Sequence, residues 1–222
     1  MRAMIRFGKQ PRLRFISHLD LQRFFQRALN RTGLPIAWTQ GFNPHPIMSF
    51  GSALALGWTS EYEIVDFKLA APMGRKRVEE AMRASLPVDL PVLEAKLVDD
   101  KHPAPMAMVQ ASDYWIEPLG ENAERILEVA GEFLKRESVL AMRKTKSGER
   151  EIDIRPLAMS IERSETGLNA RLALTERDTL KPDLLIASLS KIAGIEPPEI
   201  RVHRKCLLGR DESGALKPLM EL

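Results

Sequence analysis

Apolar strand patterns and amphipathic helix patterns follow one another in the same order in both halves of this 222-residue chain. Each half approximates strand–helix–strand–strand–helix–strand when segments are assigned by apolar periodicity. This order is typical of the ferredoxin-like fold, an antiparallel sheet with two helices on one face. We therefore predict an α+β protein made of two tandem ferredoxin-like units with antiparallel sheets. The predicted domains are residues 1–100 and 109–222, joined by a linker at residues 101–108 that contains two prolines.

Local start and stop signals define four predicted helices. The first begins at Ser17, which forms an S-x-x-D capping box with Asp20, and it ends before Gly33. Its predicted buried stripe is Leu21, Phe24, Phe25, Ala28 and Leu29. The other predicted helices are Arg75–Ser85, Asn122–Arg136 and Pro182–Ala193. The predicted strands are Ala3–Phe7, Ile36–Thr39, Ile47–Leu56, Tyr62–Leu69, Val92–Val98, Tyr114–Glu117, Val139–Lys144, Ile152–Ile161, Leu168–Thr175 and Glu199–Leu207, and Leu13–Ile16 is expected to extend or pair with the first.

Positive charge is concentrated at the start of the chain. The whole chain has a net charge of +3, but residues 1–33 contain eight cationic side chains and one carboxylate, a net +7. The remaining residues therefore carry a net −4. A local basic block on a nearly neutral protein indicates a patch for phosphate or another anion. The alternative is that these cations pair with carboxylates from elsewhere in the fold.

Three arginines of the first predicted helix stand out within this block. Arg23, Arg27 and Arg31 recur every four residues, so they lie on one helical face, opposite the apolar stripe. We predict that this arginine stripe holds the phosphates of an RNA.

The segment Gly41–Pro46, GFNPHP, predicts a stiff loop. Gly41 permits backbone conformations that are closed to other residues. Asn43 and His45 each precede a proline, which favours extended backbone at both positions. Two interpretations stay open. Phe42, Asn43 and His45 form a recognition platform, with Phe42 or His45 stacked on a base, or the loop is a structural corner with Phe42 in the core.

Two further basic clusters lie in the second half of the chain. The segment Arg143–Arg150 is predicted to be a hairpin tip, for which plain solvation without a ligand is the alternative. Its candidate RNA-binding residues are Arg143, Lys144 and Lys146. In the last predicted strand, Arg201, His203 and Lys205 share one face because strand side chains alternate. We predict that Arg201 and Lys205 face either solvent or a polyanion.

Cysteine and histidine spacing argue against metal and redox chemistry in this chain. The single Cys206 cannot supply the several thiolates of an iron–sulfur cluster or of a four-cysteine zinc site. The four histidines lie far apart without metal-ligand spacing, so we predict no metal site. One cysteine fits a reducing compartment, and the N-terminus lacks the apolar segment of a signal peptide. With no apolar run of membrane-spanning length, the predicted location is the cytoplasm, without a membrane partner.

General acid–base chemistry has two weak candidates, His18 and His45. His18 occupies the first predicted helical position, where the helix N-terminus lowers the pKa of an imidazole. A neutral histidine beside arginines is suited to act as a base on an RNA 2′-hydroxyl. We favour the alternative, in which His18 donates a hydrogen bond that holds the neighbouring loop. No catalytic residue is therefore assigned, and enzymatic activity is not the expected function.

The stretch RFISHLDLQRFFQRALNRTGLPIAWTQGFNPHPIMSFGSALALGWTSEYEIVDFKL joins these features into one recognisable pattern. It holds a serine-histidine-leucine-aspartate helix start, the arginine stripe and the proline-histidine-proline loop, followed by the small-residue segment Ser49–Gly57 and the acidic segment Glu61–Asp66. Together with the later Arg150–Leu157, it resembles the radical SAM-linked protein family, an uncharacterised bacterial domain family. The resemblance covers most of the chain, with Thr39 where a serine is more usual.

The resemblance implies a partner more than a reaction. Domains of this family are fused to, or encoded beside, a cobalamin-binding radical S-adenosylmethionine (SAM) enzyme, and neighbouring genes often concern RNA processing and the ribosome. It implies no cofactor in this chain, whereas the partner enzyme carries SAM, an iron–sulfur cluster and cobalamin. We therefore expect an RNA-binding or substrate-presenting accessory protein in RNA or ribosome-related modification. Two alternatives stay open: a metal-independent endoribonuclease of the tandem ferredoxin-like type that uses His18 or His45, and a protein-interaction subunit without RNA binding.

Overall fold

The structure is a computed structural model that describes residues 1–145 and 148–222, without the side chains of residues 144 and 145. Within these residues the fold is mixed α+β, with five α-helices and a large, mostly antiparallel sheet. The chain divides into two compact units. Unit 1 comprises Met1–Val109 and Cys206–Leu222, and unit 2 comprises Gln110–Lys205. The predicted second domain, residues 109–222, therefore differs from unit 2, because its last segment, Cys206–Leu222, belongs to unit 1.

Unit 1 begins with strands and helices in alternation. In chain order these are β1 (Arg2–Lys9), α1 (His18–Arg31), β2 (Met48–Phe50), β3 (Thr59–Lys68), α2 (Arg75–Ser85), β4 (Val92–Val98) and the short α3 (Pro105–Met108). Strand β1 lies between β4 and β3 and is antiparallel to both, so that Ile5 faces Ala95 on one side and Val65 on the other. Strand β2 pairs with the second half of β3. The predicted linker at residues 101–108 lies inside this unit and contains α3.

Unit 2 contains the same kinds of element with one additional hairpin. In chain order these are β5 (Ala111–Pro118), α4 (Ala123–Lys135), β6 (Leu140–Thr145), β7 (Gly148–Asp153), β8 (Ala158–Arg163), β9 (Leu168–Ala173), α5 (Pro182–Ala193) and β10 (Ile200–Arg210). The strand order is β10-β5-β9-β8, whereas β6 and β7 form a separate two-stranded sheet. The last residues of β10 belong to unit 1, where they pair with β11 (Leu216–Pro218).

The predicted helices agree with the structure to within one residue at each end. Helix α1 begins after Ser17 because the Asp20 backbone N–H donates to Ser17 Oγ at 3.2 Å, and the Ser17 hydroxyl donates to the Asp20 carboxylate at 2.7 Å. Helix α5 begins at Pro182 and ends at Ala193, and it is followed by the C-cap Gly194, whose φ of +70° suits glycine. No helix in the described ranges has the length and apolar composition that crossing a bilayer requires.

Several strands are shorter in the structure than the sequence predicts. The predicted strand Leu13–Ile16 is wrong, because Pro11–Leu13 forms a 3-10 turn that proline favours at its start. The predicted strand Ile152–Ile161 is divided by a second 3-10 turn, Arg155–Leu157, since Pro156 has no N–H for a strand ladder. Ile47–Leu56 retains only β2, and Ile36–Thr39 forms only isolated bridges. Each error falls at a proline or in a glycine-containing segment that breaks an apolar run.

Three phenylalanines pack α1 against the sheet of unit 1. The ring of Phe25 lies 4.7 Å from Phe7 of β1 and 5.4 Å from Phe50 of β2, measured between centroids. Phe7 and Phe25 are fully buried. Leu21, Ala28 and Leu29 bury the same helical face, and Phe24 is partly buried beside them, which confirms the predicted apolar stripe. This packing determines which face of α1 points outward.

The C-terminal segment is part of the unit 1 core. Leu219 and Met220 are buried, and the Met220 backbone N–H donates to the Tyr62 hydroxyl at 3.1 Å. Burial raises the pKa of Tyr62 to about 12, so this hydroxyl stays protonated at neutral pH. A Cβ added at Gly209 would lie 2.6 Å from the Leu222 side chain and 2.8 Å from the Met108 carbonyl oxygen. The segment therefore fits against unit 1 only because residue 209 has no side chain.

We predict that Gly209→Ala destabilises the protein, because the added methyl group forces the Met108 backbone and the C-terminal residues apart. Overpacking of this kind costs about 1–3 kcal/mol. Urea denaturation followed by circular dichroism measures the change. The control is Gly131→Ala in α4, where a Cβ meets no atom within 4 Å and where alanine should stabilise the helix by about 0.5–1 kcal/mol. Equal stabilities of the Gly209→Ala variant and wild type would contradict the packing of the C-terminal segment.

Candidate nucleic-acid interface

Helix α1 presents its arginine stripe to solvent. Because Phe25 and its neighbours are buried on one face, Arg23, Arg27 and Arg31 lie on the opposite face, and all three are exposed. The stripe extends about 12 Å along the helix axis, since eight residues rise about 1.5 Å each. The predicted placement of these three side chains is confirmed.

The three arginines differ in what they contact. Arg23 lies 3.5 Å from the Asp20 carboxylate, an exposed pair of small energetic value. Arg31 donates to the Ser85 carbonyl oxygen at 3.3 Å, and Ser85 is the last residue of α2. A cation at a helix C-terminus is favourable, so Arg31 also caps α2. No carboxylate of the described chain pairs with Arg27. Arg27 is therefore the arginine of the stripe most available to an external anion.

Helix α2 adds cations beside the arginine stripe. Arg75 and Arg83 pair with Glu79, at 3.4 Å and 2.7 Å. Lys76 and Arg77 are exposed, and neither pairs with a carboxylate within the described ranges. A groove of about 450 Å³ lies between the end of α1 and helix α2, with Arg31, Arg77 and the carboxylate-bearing Glu80 among its lining residues. We refer to the outward surface of α1 and α2 as the cationic helix face.

The charge of this face contrasts with the helices of unit 2. Helices α1 and α2 together contain seven cationic side chains and three carboxylates, a net +4. Helices α4 and α5 contain three cationic side chains and four carboxylates, a net −1. The positive charge is thus a property of the unit 1 helices rather than of helices in this protein generally. A surface of this sign attracts polyanions and accelerates their association.

Three other arginines of the N-terminal block lie near carboxylates of unit 1. The shortest nitrogen–oxygen distances are 3.1 Å for Arg2 with Asp66, 3.3 Å for Arg6 with Glu94 and 3.9 Å for Arg12 with Asp89. The alternative of internal pairing is therefore correct for Arg2 and Arg6, whereas Arg12 stays largely exposed and its pair is long. Arg14 is also exposed, and no carboxylate of the described residues pairs with it, so the exposed positive charge of the block lies on Arg12 and Arg14 as well as on α1.

Lys9 has an internal structural role that its sequence position does not indicate. Its side chain is only 2% exposed, and its ammonium group donates to the carbonyl oxygens of Arg14 at 3.0 Å and Ile16 at 3.1 Å. Burial lowers the pKa of Lys9, while the negative charge of Glu63 raises it. Lys9 thus ties the segment that precedes α1 to the end of β1.

The loop that contains GFNPHP is closed at its base and exposed at its tip. The His45 backbone N–H donates to Thr39 Oγ1 at 3.1 Å, and the Thr39 N–H donates to the His45 carbonyl oxygen at 2.9 Å. Phe42 is fully exposed, so the interpretation that places it in the core is wrong. Asn43 and His45 are also exposed, whereas Pro46 is buried. The loop therefore displays Phe42 at its tip and is anchored at Pro46.

The histidine environments differ. The His18 ring packs edge-on against Phe50, with centroids 5.2 Å apart. Burial lowers the pKa of His18; the nearby Glu63 raises it and Lys9 lowers it. The lowered pKa favours the neutral imidazole, and burial rather than the helix N-terminus is its main cause. The His45 Nδ1 lies 3.2 Å from the adjacent Pro46 carbonyl oxygen.

Across residues 1–145 and 148–222, no three histidine, cysteine or acidic side chains form a group that could hold a metal ion.

The candidate cations of unit 2 do not form one cluster of free charges. Arg201 donates to the Glu117 carboxylate at 3.1 Å, and Lys205 donates to the Asn169 side-chain oxygen at 3.4 Å. Arg143 donates to the Arg177 carbonyl oxygen at distances of 3.4 and 3.5 Å. Lys146 and the side chain of Lys144 lie outside the described residues.

A family model matches residues 2–182, and its description is "Uncharacterized protein conserved in bacteria (DUF2344)". The chain belongs to this family. The match includes α1, the GFNPHP loop and α2, and it continues through unit 2 to the first residue of α5. No curated protein matches the chain.

Sequence reasoning missed two contributions to the site of this DUF2344 protein. Lys76 and Arg77 extend the positive surface from α1 to α2, but the run Arg75–Arg77 precedes two glutamates and so resembles an ordinary solvated helix face. The pattern Arg-Lys-Arg at a helix start, where cations are unfavourable, was the available signal. Lys9 belongs to the basic N-terminal block of the sequence, and only its burial in the structure shows that it is internal.

We predict that this DUF2344 protein becomes less stable as the pH falls from about 7.5 to about 5.5, around the ordinary histidine pKa. The pKa of His18 is lower in the folded state than in the unfolded chain, so the unfolded chain binds more protons in this range. His18→Gln should therefore make the urea midpoint less dependent on pH. His102, whose pKa burial also lowers, supplies a second test, since His102→Gln should add to the effect. An unchanged pH dependence in the His18→Gln variant would contradict the burial of this ring.

Proposed function

We propose that this protein is a non-enzymatic, RNA-binding or substrate-presenting accessory protein that works with a radical SAM enzyme. The observation that carries the RNA part is the cationic helix face, where Arg27, Lys76 and Arg77 are exposed without a carboxylate partner in the described chain. Holding like charges together on a surface is unfavourable unless an anion neutralises them. A polyanion such as RNA supplies closely spaced phosphates and releases its counterions on binding.

The GFNPHP loop supports RNA in preference to a simple anion. Phe42 is a large aromatic side chain that the fold leaves fully in solvent. A single-stranded base stacks on such a ring, with a contribution of about 1–3 kcal/mol per base. Because the GFNPHP loop is anchored through Thr39 and Pro46, it would lose less conformational entropy when RNA binds. Phosphate contacts from the helix face and one stacked base from the loop together describe recognition of a single-stranded or looped RNA.

The fold of each unit adds to this proposal. We infer that both units are ferredoxin-like, because each places its first strand between its fourth and third strands and its second strand beside the third. In unit 1 these strands are β1 to β4, and in unit 2 they are β5, β8, β9 and β10. The β6–β7 hairpin is then an insertion after the first helix of unit 2. RNA-recognition domains bind bases on the face of a four-stranded sheet, an element that each unit would share, whereas the cations of this proposal lie on the helices.

The radical SAM partner rests on the resemblance carried by Ser17–Asp20, the arginine stripe and the GFNPHP loop. A protein that holds an RNA without a cofactor of its own would present it to an enzyme that carries SAM, an iron–sulfur cluster and cobalamin. We also place the protein in the cytoplasm, because a single cysteine fits a reducing compartment. His18 and His45 are not assigned a catalytic role, because His18 packs against Phe50 and His45 contacts its own loop backbone.

We predict that the triple variant Arg23→Ala, Arg27→Ala and Arg31→Ala binds RNA more weakly and with a flatter salt dependence. For single strands, each lost phosphate contact changes the slope of log K against log salt by about 0.7, so three contacts change it by about 2. Filter binding of a fluorescent single-stranded RNA at several salt concentrations measures both quantities.

The matched control for this variant removes three positive charges from unit 2. Arg125 and Arg163, which pair with Glu128 and Glu124, and the exposed Lys135 are each changed to alanine. This control should retain the wild-type salt slope. Wild-type protein without salt-sensitive RNA affinity would overturn the proposal. Capture of the radical SAM enzyme that survives nuclease treatment but is lost in the arginine variant would instead assign the stripe to protein docking.

We predict that Phe42→Ala lowers RNA affinity without lowering the stability of the protein, because this ring contacts solvent rather than the core. Loss of one stacked base corresponds to about 1–3 kcal/mol, while the salt slope should be unchanged because no phosphate contact is lost. The same filter-binding titration measures both. Val88→Ala, which truncates another exposed apolar side chain of unit 1, is the control. Full RNA affinity in the Phe42→Ala variant would remove the loop from the binding surface.

A further inference from the structure

Unit 2 contains a groove between the β6–β7 hairpin and helix α5. Its volume is about 580 Å³, within the range of about 300–1,000 Å³ that holds small organic ligands. Met142, Leu184 and Ala187 supply apolar surface to the groove. Met142 is half exposed, so a flat apolar ligand would cover surface that now contacts water.

Charged and polar groups line the same groove. Arg143 approaches from the hairpin, while Lys181 and Asp183 come from the start of α5. Thr179 is also in the lining, and its hydroxyl donates to the Thr175 carbonyl oxygen at 2.6 Å, which leaves the oxygen able to accept. The groove thus combines two cations, one carboxylate and one hydroxyl acceptor around an apolar surface.

The strand register places a second arginine next to this site. Arg143 of β6 is directly opposite Arg150 of β7, so both side chains lie on one face of the hairpin, whereas Met142 alternates to the other face, opposite Glu151; the groove is lined by both Met142 and Arg143. Like charges in this position destabilise a strand pair. Within the described residues, neither arginine pairs with a carboxylate, and the hydrogen bonds from Arg143 to the Arg177 carbonyl oxygen are long, at 3.4 and 3.5 Å. An anion beside the hairpin would relieve this repulsion.

We propose that this groove binds one nucleotide of a single-stranded RNA, with the phosphate on Arg143 and Lys181 and the base on Met142, Leu184 and Ala187. The proposal rests on the proposed RNA-binding function, to which it adds a separate binding site in unit 2. Arg143 was a candidate from sequence, whereas Lys181 and the apolar surface are contributed by α5. Asp183 and Thr179 supply acceptors for a base amino group or a ribose hydroxyl.

The composition of the groove favours a nucleotide over a simpler anion. Inorganic phosphate would satisfy the cations but would leave the apolar side chains in water, and Asp183 would repel it. A nucleoside without phosphate would leave Arg143 and Arg150 facing each other. A nucleoside monophosphate has both parts, a flat ring with polar edges and an anionic group.

The test is a titration of the full chain, labelled with ¹³C at its methionine methyl groups, with adenosine 5′-monophosphate. The Met142 signal is identified by its loss in Met142→Leu. We expect a saturable shift of this signal, and we expect Arg143→Ala with Lys181→Ala to raise the Kd by about tenfold or more, since hydrogen bonds to charged groups are involved. Lys191→Ala, which removes an exposed cation from the other end of α5, should leave the Kd unchanged. The remaining methionine signals report whether each variant is folded.

The ligand controls separate the possible outcomes. A Met142 signal that does not move, or a Kd unaffected by the double variant, would overturn the site. Equal affinity for adenosine would overturn the phosphate contact, and equal affinity for inorganic phosphate would show an anion site that does not bind a base. The triple arginine variant of α1 should retain the Met142 shift. If the triple arginine variant keeps full RNA affinity while the groove binds the nucleotide as expected, the helix-face proposal is wrong and the groove proposal stands. If the triple variant loses RNA affinity but the groove does not bind the nucleotide, only the groove proposal is wrong.

Discussion

The packing of Phe25 between Phe7 and Phe50 is the interaction on which the candidate interface depends. Truncation of a buried phenylalanine costs about 3–5 kcal/mol, so this cluster determines the rotation of α1 about its own axis. With Phe25 against the sheet, the helical period places Arg23, Arg27 and Arg31 on the opposite side. The same aromatic cluster receives His18, whose ring packs on Phe50 rather than facing solvent. This core contact therefore determines both that the arginines of α1 are exposed and that the His18 ring packs against the core.

Unit 1 separates its positive charges by their structural surroundings. Two cations of β1 are neutralised or buried: Arg2 pairs with Asp66, and Lys9 is buried against two carbonyl oxygens. Cations on α1 and α2 stay in solvent, apart from the exposed pairs with Asp20 and Glu79. Burying an unpaired charge is costly, whereas exposing it is not. The result is a protein with a small net charge whose helices α1 and α2 carry a net +4.

Helices were predictable from the sequence because their signals are local. Ser17 with Asp20 starts α1, Pro182 starts α5, and the apolar period defines the buried face of each. Strands were less predictable, since their length depends on partners far along the chain; β2 retains three residues of a ten-residue apolar segment. Of the candidate site residues, the arginine stripe could be placed from periodicity, whereas loop chemistry left open whether Phe42 is exposed or in the core. The contributions of Lys76, Arg77 and Lys181 could not, because each depends on which element packs beside it.

By itself, the sequence determined the element order, the capping and amphipathicity of the helices, and the concentration of charge near the N-terminus. These follow from residue spacing and composition, which act within a few residues. Only the tertiary structure decided that Cys206–Leu222 belongs with unit 1, that Lys9 is internal, that Phe42 is external and that a groove lies between the hairpin and α5. Those outcomes depend on which distant surfaces exclude water together. Burial and charge pairing are properties of neighbours in space, and adjacent letters in a sequence do not specify them.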